Sequence, residues 1–302
     1  MNMPSKKASL TGMRRREELT AWLFISPIVL GILIFQFYPT IFSFYISFTR
    51  WNLLTPPKWI GLDNFVTLFT TDRFFFNTMR NTATYAIWTV IAGLVLGLFF
   101  AVLLNQEIRG KYVYRGIYFV PVVAPTVAVA LLWQWLYEPN FGVLNGMLRM
   151  IGIQGPNWLG NTTWAMRSVI IEAIWAGLGF SILIFLAGLQ GIPQEYYEAA
   201  EIDGANAVQK FFNITMPLLS PTTFFLLVTA VIGSFQVFDI PYVMTGGGPA
   251  NATQMVMMYL YNNAFTIQKM GLAAAISFVV FLVIITLTII NFRVSKRWVF
   301  YE

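Results

Sequence analysis

Residues 198–205, Glu198-Ala199-Ala200-Glu201-Ile202-Asp203-Gly204-Ala205, with Ile214 and Pro217 following, form a polar, helix-forming insertion between two apolar stretches of membrane-spanning length. Crossing about 30 Å of hydrocarbon takes about 20 residues of helix, and working outward from the insertion finds such windows throughout the chain. Leu19 to Thr49, Asn81 to Gln106, Gly116 to Tyr137, Phe211 to Phe238 and Met270 to Phe292 contain no Asp, Glu, Lys or Arg, and Ser168 to Gln190 contains only Glu172. Lipid offers backbone groups no hydrogen-bond partner, and the windows lack barrel-like alternation, so all six are expected to be α-helices. The fold expected is an all-α integral membrane protein of six spans, with the insertion between spans 4 and 5. Pro27 and Pro39 mark where the first, long span would break unless it tilts.

Composition agrees. Of 302 residues, 57% are hydrophobic and 11% charged, whereas soluble domains carry about 25% charged residues. There is no Cys and no His, which excludes disulfides, thiolate or imidazole metal sites and Ser-His or Cys-His nucleophiles within the chain. No catalytic residue and no metal site is expected.

Six spans place both termini on one side, and the basic residues choose it. Lys6, Lys7, Arg14, Arg15, Arg16, Arg109, Lys111, Arg115, Lys210, Arg293, Lys296 and Arg297 lie on the side of the insertion. Arg50, Lys58, Arg73, Arg80, Arg149, Arg167 and Lys269 lie opposite. Twelve against seven makes the termini and the insertion cytoplasmic, with residues 1–18 and 293–302 as short tails around a membrane domain at 19–292. The net charge of +6 is thus an orientation signal, and nucleic acid is not an expected partner. Arg14-Arg15-Arg16 before an apolar run mimics an export signal, but the run is longer than a signal core and lacks a small-residue cleavage site.

Within the insertion, Pro193 suits a first helical turn, Gln194 to Ile202 is expected to be a short helix, Gly204 to turn the chain, and Ala205 to Ile214 to form a second helix carrying Phe211 and Phe212. A helix lying on lipid is usually basic on its polar face. This one carries Glu195, Glu198 and Glu201, so a protein partner is the better account.

The spacing Glu-Ala-Ala, then Gly, then Ile-x-x-Pro resembles the cytoplasmic coupling loop of permease subunits of binding-protein-dependent ABC importers. Tyr38-Pro39, Gly61-Leu62-Asp63-Asn64-Phe65, Arg115 with Tyr118-Phe119-Val120-Pro121, and Gly142 with Asn145 extend the likeness over nearly the whole chain. Phe235-Gln236-Val237-Phe238-Asp239 and Thr245-Gly246-Gly247-Gly248-Pro249 resemble the carbohydrate branch, in the member of the permease pair that carries this pattern. The resemblance implies ATPase contact through Glu198, Ala199, Ala200, Asp203, Gly204, Ile214 and Pro217 in a coupling loop at about 190–217. It implies sugar contact near Gly177, Phe180, Gly233, Ser234 and Val237, although these are smaller and less polar than an elaborate sugar site requires. Gln236 and Asp239 join the candidate path as polar groups at the end of an apolar span, as do Glu172 and Trp175. Gln134 between Trp133 and Trp135 fits an interfacial aromatic belt. The implied partners are a second, paralogous permease, two ATPase subunits holding ATP and Mg2+, an extracytoplasmic substrate-binding protein and the bilayer. No cofactor is expected on this chain, because no Gly-x-x-x-x-Gly-Lys-Ser/Thr occurs in it and Gly246-Gly247-Gly248 reads as a tight turn.

Gly93 and Gly97, Gly177-Leu178-Gly179, and Gly271 with the alanines after it read as small residues that let helices approach. The competing class is an ion-coupled secondary transporter or channel subunit, which would need ionisable groups at mid-membrane; only Glu172 and Asp239 qualify.

Overall fold

The computed structural model describes residues 6–106 and 110–300; Arg109, counted in the charge balance above, lies outside them. Apolar sequence and obligatory backbone pairing give helices nearly everywhere. In chain order they are α1 (Lys6–Ile32), α2 (Tyr38–Ser47), α3 (Asp63–Val66), α4 (Arg73–Asn105), α5 (Lys111–Val123), α6 (Thr126–Leu136), α7 (Val143–Met150) and α8 (Thr162–Gln190). After the polar insertion's α9 (Gln194–Ile202) and α10 (Ala207–Lys210) come α11 (Met216–Leu218), α12 (Ser220–Phe235), α13 (Asp239–Thr245), α14 (Val256–Tyr261) and α15 (Met270–Ser295). A two-stranded antiparallel ribbon, β1 (Thr49–Arg50) and β2 (Lys58–Trp59), closes the first connection.

Among the described residues, four helices are long and apolar enough to span a membrane unbroken, and two bent pairs bring the number to six. The first span does not break at either proline: α1 and α2 run on through a π turn at Leu33–Phe37, where the Tyr38 N–H bonds the Leu33 carbonyl. Widening the helix just before Pro39 accommodates a ring that would clash with an ordinary turn. The third span, expected to be continuous from Gly116 to Tyr137, is bent by 108° between α5 and α6. The cause is Pro125, which pushes Ala124 into extended backbone at ψ 143°. The fifth window is likewise bent, by 60°, between residues 207–218 and α12. The two terminal segments are structured as far as they are described. Lys6 onward is helical and continuous with the first span, while the C-terminal segment folds back so that the Phe300 N–H donates to Ser220 Oγ at 2.9 Å.

α8 is the central helix, packed along α4 and touching α5, α12 and α13. Nearest the insertion, Ala101, Leu104, Leu178, Phe185, Leu189 and Leu219 form one apolar cluster. At the other end Tyr85, Ala130, Tyr137, Val169, Met244 and Met255 form a second. Between the two clusters the helices part.

Candidate functional site

The polar insertion is a braced knob. α9 ends in a Schellman turn: the Gly204 N–H bonds the Glu201 carbonyl at 3.0 Å and the Ala205 N–H bonds the Ala200 carbonyl at 2.8 Å, with Gly204 at φ +77°, where a Cβ is disfavoured. The second helix begins at Ala207, two residues later than expected, because Asn206 caps it in a reciprocal box with Gln209. It also outlasts the expected end at Ile214, running through a π turn at Phe211–Thr215 into α11. Lys210 Nζ holds Glu201 Oε1 at 2.6 Å, and the Tyr197 and Thr215 hydroxyls share a hydrogen bond of 3.0 Å. These bonds fix α9 against the chain leading into α12.

The knob's outer surface has no partner among the described residues. α9 buries none of its residues; Ile202 is 88% exposed, Val208 65% and Phe212 59%, beside the exposed Glu198, Ala199 and Asp203. Apolar side chains held outward on a rigid polar loop mark a protein contact. Of the family-matched positions, Glu198, Ala199, Asp203 and Gly204 lie on this exposed surface, Ala200 is half-buried, and Ile214 and Pro217 sit half-buried where the loop joins the spans.

The second feature is the gap where α4, α8 and α12 part, a cavity of about 400 Å³. Gly177, Phe180, Gly233, Ser234 and Val237 border it together. Gln236 does not: it faces a separate cleft between α2 and α15 with Gln36, Phe44 and Phe278. Asp239 is exposed in the first turn of α13, outside the cavity. Glu172, placed among the path candidates, is sealed off, with no exposed surface and no hydrogen-bond partner for either carboxylate oxygen among the described residues. The helical register explains it: Ser168, Glu172 and Trp175 line one stripe of α8, and that stripe meets Tyr137 and Trp133 rather than the cavity.

A third wall came from α4 and went unread in the sequence. Tyr85, Thr89 and Gly93, spaced at i, i+4 and i+8, border the cavity with Ser181 and Thr229. Gly93, read as a packing glycine, has nothing among the described residues within 4 Å of the position a Cβ would take, and the same holds for Gly177 and Gly233. Gly97 and Gly179 do pack closely, against Ser181 and against the Tyr118 carbonyl. Glycine in a helix costs about 1 kcal/mol against alanine, and three open ones, one per wall, widen a single cavity. Among the described residues, no Asp, Glu, Lys or Arg lines it. Thr89, Thr229 and Ser234 each donate to a carbonyl of their own helix at 2.7–2.9 Å, leaving hydroxyl lone pairs as acceptors.

The remaining motifs are structural. Asn64 Nδ2 ties down the Ser47 and Thr49 carbonyls, and Asn145 Oδ1 accepts from Trp158 Nε1 at 2.7 Å. Gly246 and Gly247 take positive φ in the turn after α13.

A polytopic membrane protein that pairs a mid-bundle cavity with a rigid, exposed polar knob has the anatomy of a transport subunit. The chain belongs to the family of binding-protein-dependent transport system inner membrane components, whose model matches residues 93–299. It is similar to the probable ABC transporter permease protein YesP of Bacillus subtilis, 41% identical over 95% of this chain and 94% of that one. It is similar also to the trehalose/maltose transport system permease protein MalF of Thermococcus litoralis, 34% identical over 94% and 96%. A crystal structure of a bacterial alginate ABC transporter, in complex with an alginate pentasaccharide-bound periplasmic protein, superposes with a TM-score of 0.83 at 25% identity over 95% and 96%. The chain is accordingly the transmembrane permease subunit of an ABC importer and a non-enzymatic membrane component. Nothing supports the ion-coupled alternative.

Proposed function

We propose that this subunit forms half of the translocation path for a sugar or sugar derivative, and that its knob couples the path to partner ATPases. One observation carries the reading: the two helices that flank the knob, α8 and α12, are two of the three walls of the cavity. A push on Glu198, Ala199, Ala200, Asp203 and Gly204, passed through Ile214 and Pro217, therefore moves the walls directly. Closure of two ATPases on ATP and Mg2+ would supply the push, a substrate-binding protein would load the opposite face, and a paralogous permease would complete the path. The excess of basic residues on that side supports a cytoplasmic knob and cytoplasmic termini.

A saccharide suits the cavity. Phe180 and the aliphatic side chains offer apolar surface for ring C–H faces, while hydroxyl lone pairs on Thr89, Thr229 and Ser234 accept from sugar hydroxyls. In this reading Gly177, Phe180, Gly233, Ser234 and Val237 contact substrate, and Gln236 and Asp239 do not. The test is copurification through a tag on this chain, then ATPase assay in vesicles. Two ATPase subunits and a second permease should copurify, and saccharide-loaded binding protein should accelerate hydrolysis. Sugar flux through the isolated chain, driven by an ion gradient, would overturn the proposal.

A further inference from the structure

At the end of the bundle opposite the knob, the ribbon after the first span contains a charge arrangement that local stability disfavours. Arg50 on β1 stands directly across the ladder from Lys58 on β2, and like charges at directly opposed positions repel. Lys269, just before α15, borders the same pocket of about 530 Å³. Asp63 borders it too, yet none of the three cations forms an ion pair with any described residue. The pocket is rigid, because Asn64 bridges the Ser47 and Thr49 carbonyls, the Met270 N–H bonds the Trp51 carbonyl at 2.9 Å, and Gly271 packs on the Thr49 carbonyl. Three cations held unpaired in a preformed pocket call for an anion.

The surroundings say which kind. The ribbon starts two residues past the end of α2 and Lys269 immediately precedes α15, so the pocket lies where two spans leave the hydrocarbon. Beside it Leu54 is 78% exposed and Trp59 60%, and Trp51 lines it. Tryptophan, leucine and unpaired cations at a span end form an interfacial surface. A carboxylate on a soluble partner would have to reach into that layer, whereas a phospholipid phosphate already resides there.

We propose that Arg50, Lys58 and Lys269 bind the phosphate of an anionic phospholipid headgroup, with Thr67 as a hydroxyl donor and Trp59 and Leu54 seated in the adjoining interfacial layer. The site does not depend on which solute the subunit carries. By the attraction of basic side chains to anionic lipid, removing all three charges should weaken binding about a hundredfold, and added salt should weaken binding to the wild type.

The transporter copurified through this chain is delipidated and its melting followed in phosphatidylcholine with and without phosphatidylglycerol, beside arms with inorganic phosphate or glycerol phosphate. Wild type should melt several degrees higher with phosphatidylglycerol and respond little to the free phosphates. Replacing Arg50, Lys58 and Lys269 together by glutamine should abolish that rise while leaving melting in pure phosphatidylcholine equal or higher, since the repulsion is gone. Lys58→Glu, which pairs with Arg50 across the ladder, provides a second variant with the same expected signature. An equal phosphatidylglycerol response in wild type and variants, or free glycerol phosphate acting as strongly as the lipid, overturns the proposal. So does an unchanged lipid response accompanied by a raised requirement for binding protein, which would assign the pocket to a protein contact.

Discussion

Replacing Gly204 isolates the backbone conformation on which the proposed docking role of the knob depends. At φ +77° a side chain meets its own backbone, and a non-glycine residue costs about 1–2 kcal/mol there. Nothing else lies within 4 Å of the Cβ position, so no steric clash with the rest of the protein adds to that figure. The strain falls on the Schellman turn that holds the Ala200 and Glu201 carbonyls, and through it on the angle between α9 and α10. One to two kcal/mol lowers the population of the docking-competent turn by about 5- to 30-fold. Gly204→Val should therefore reach the membrane in normal amount, because the spans are untouched, but retain several-fold less ATPase on copurification and lose transport. Gly204→Asn should remain near wild type, since Asn tolerates left-handed backbone. Valine and asparagine behaving alike, whether both intact or both defective, would refute the reasoning, because backbone conformation would then not be the variable that matters.

Gly177→Leu points a side chain into open cavity; uptake should fall sharply while abundance and ATPase copurification persist. Gly97→Val drives methyl groups against Ser181 and should destabilise the α4–α8 contact by about 1–3 kcal/mol, read as a lower melting temperature in detergent, whereas Gly93→Ala should be neutral or stabilising by about 1 kcal/mol. Tyr259 donates to the Asp72 carboxylate, which itself caps α4 through the Phe74 and Phe75 N–H groups. Burial, and then that hydrogen bond, push the phenol up to about 12 from 10, so the neutral phenol belongs to the folded state. Its contribution is complete below pH 10 and should be lost as pH rises toward about 12; melting scans from pH 8 to 11 should fall more steeply for wild type than for Tyr259→Phe.

The polar loop between spans 4 and 5 was legible because its signals are local. Proline before a helix, small residues within it, glycine after it and an acidic face between two apolar windows each act within a few residues. The cavity was legible only in part. Gly177, Gly233 and their neighbours were reached through resemblance, but Gly93 was assigned to packing, because two glycines on one helix read alike until the neighbour of each is known. The positions of Gln236 and Glu172 were not legible for the same reason: a polar residue in an apolar window announces that it must face protein or water, not which helix it faces. The bend at Ala124 was available in principle from Pro125 and was passed over, since the window around it is apolar throughout.

The sequence by itself determined the helical membrane architecture, the number of spanning windows, the absence of His and Cys chemistry and the position of the polar loop between spans 4 and 5. Each follows from composition or from interactions along a single turn of chain, where hydrocarbon thickness and backbone pairing leave few options. Tertiary structure alone decided which glycines are packed and which open a cavity, and that α4 supplies a third wall. It alone sealed Glu172 away from that cavity and set Arg50 opposite Lys58. Those outcomes depend on crossing points and register between elements far apart in the chain, which residue order constrains only through the packing of the whole bundle.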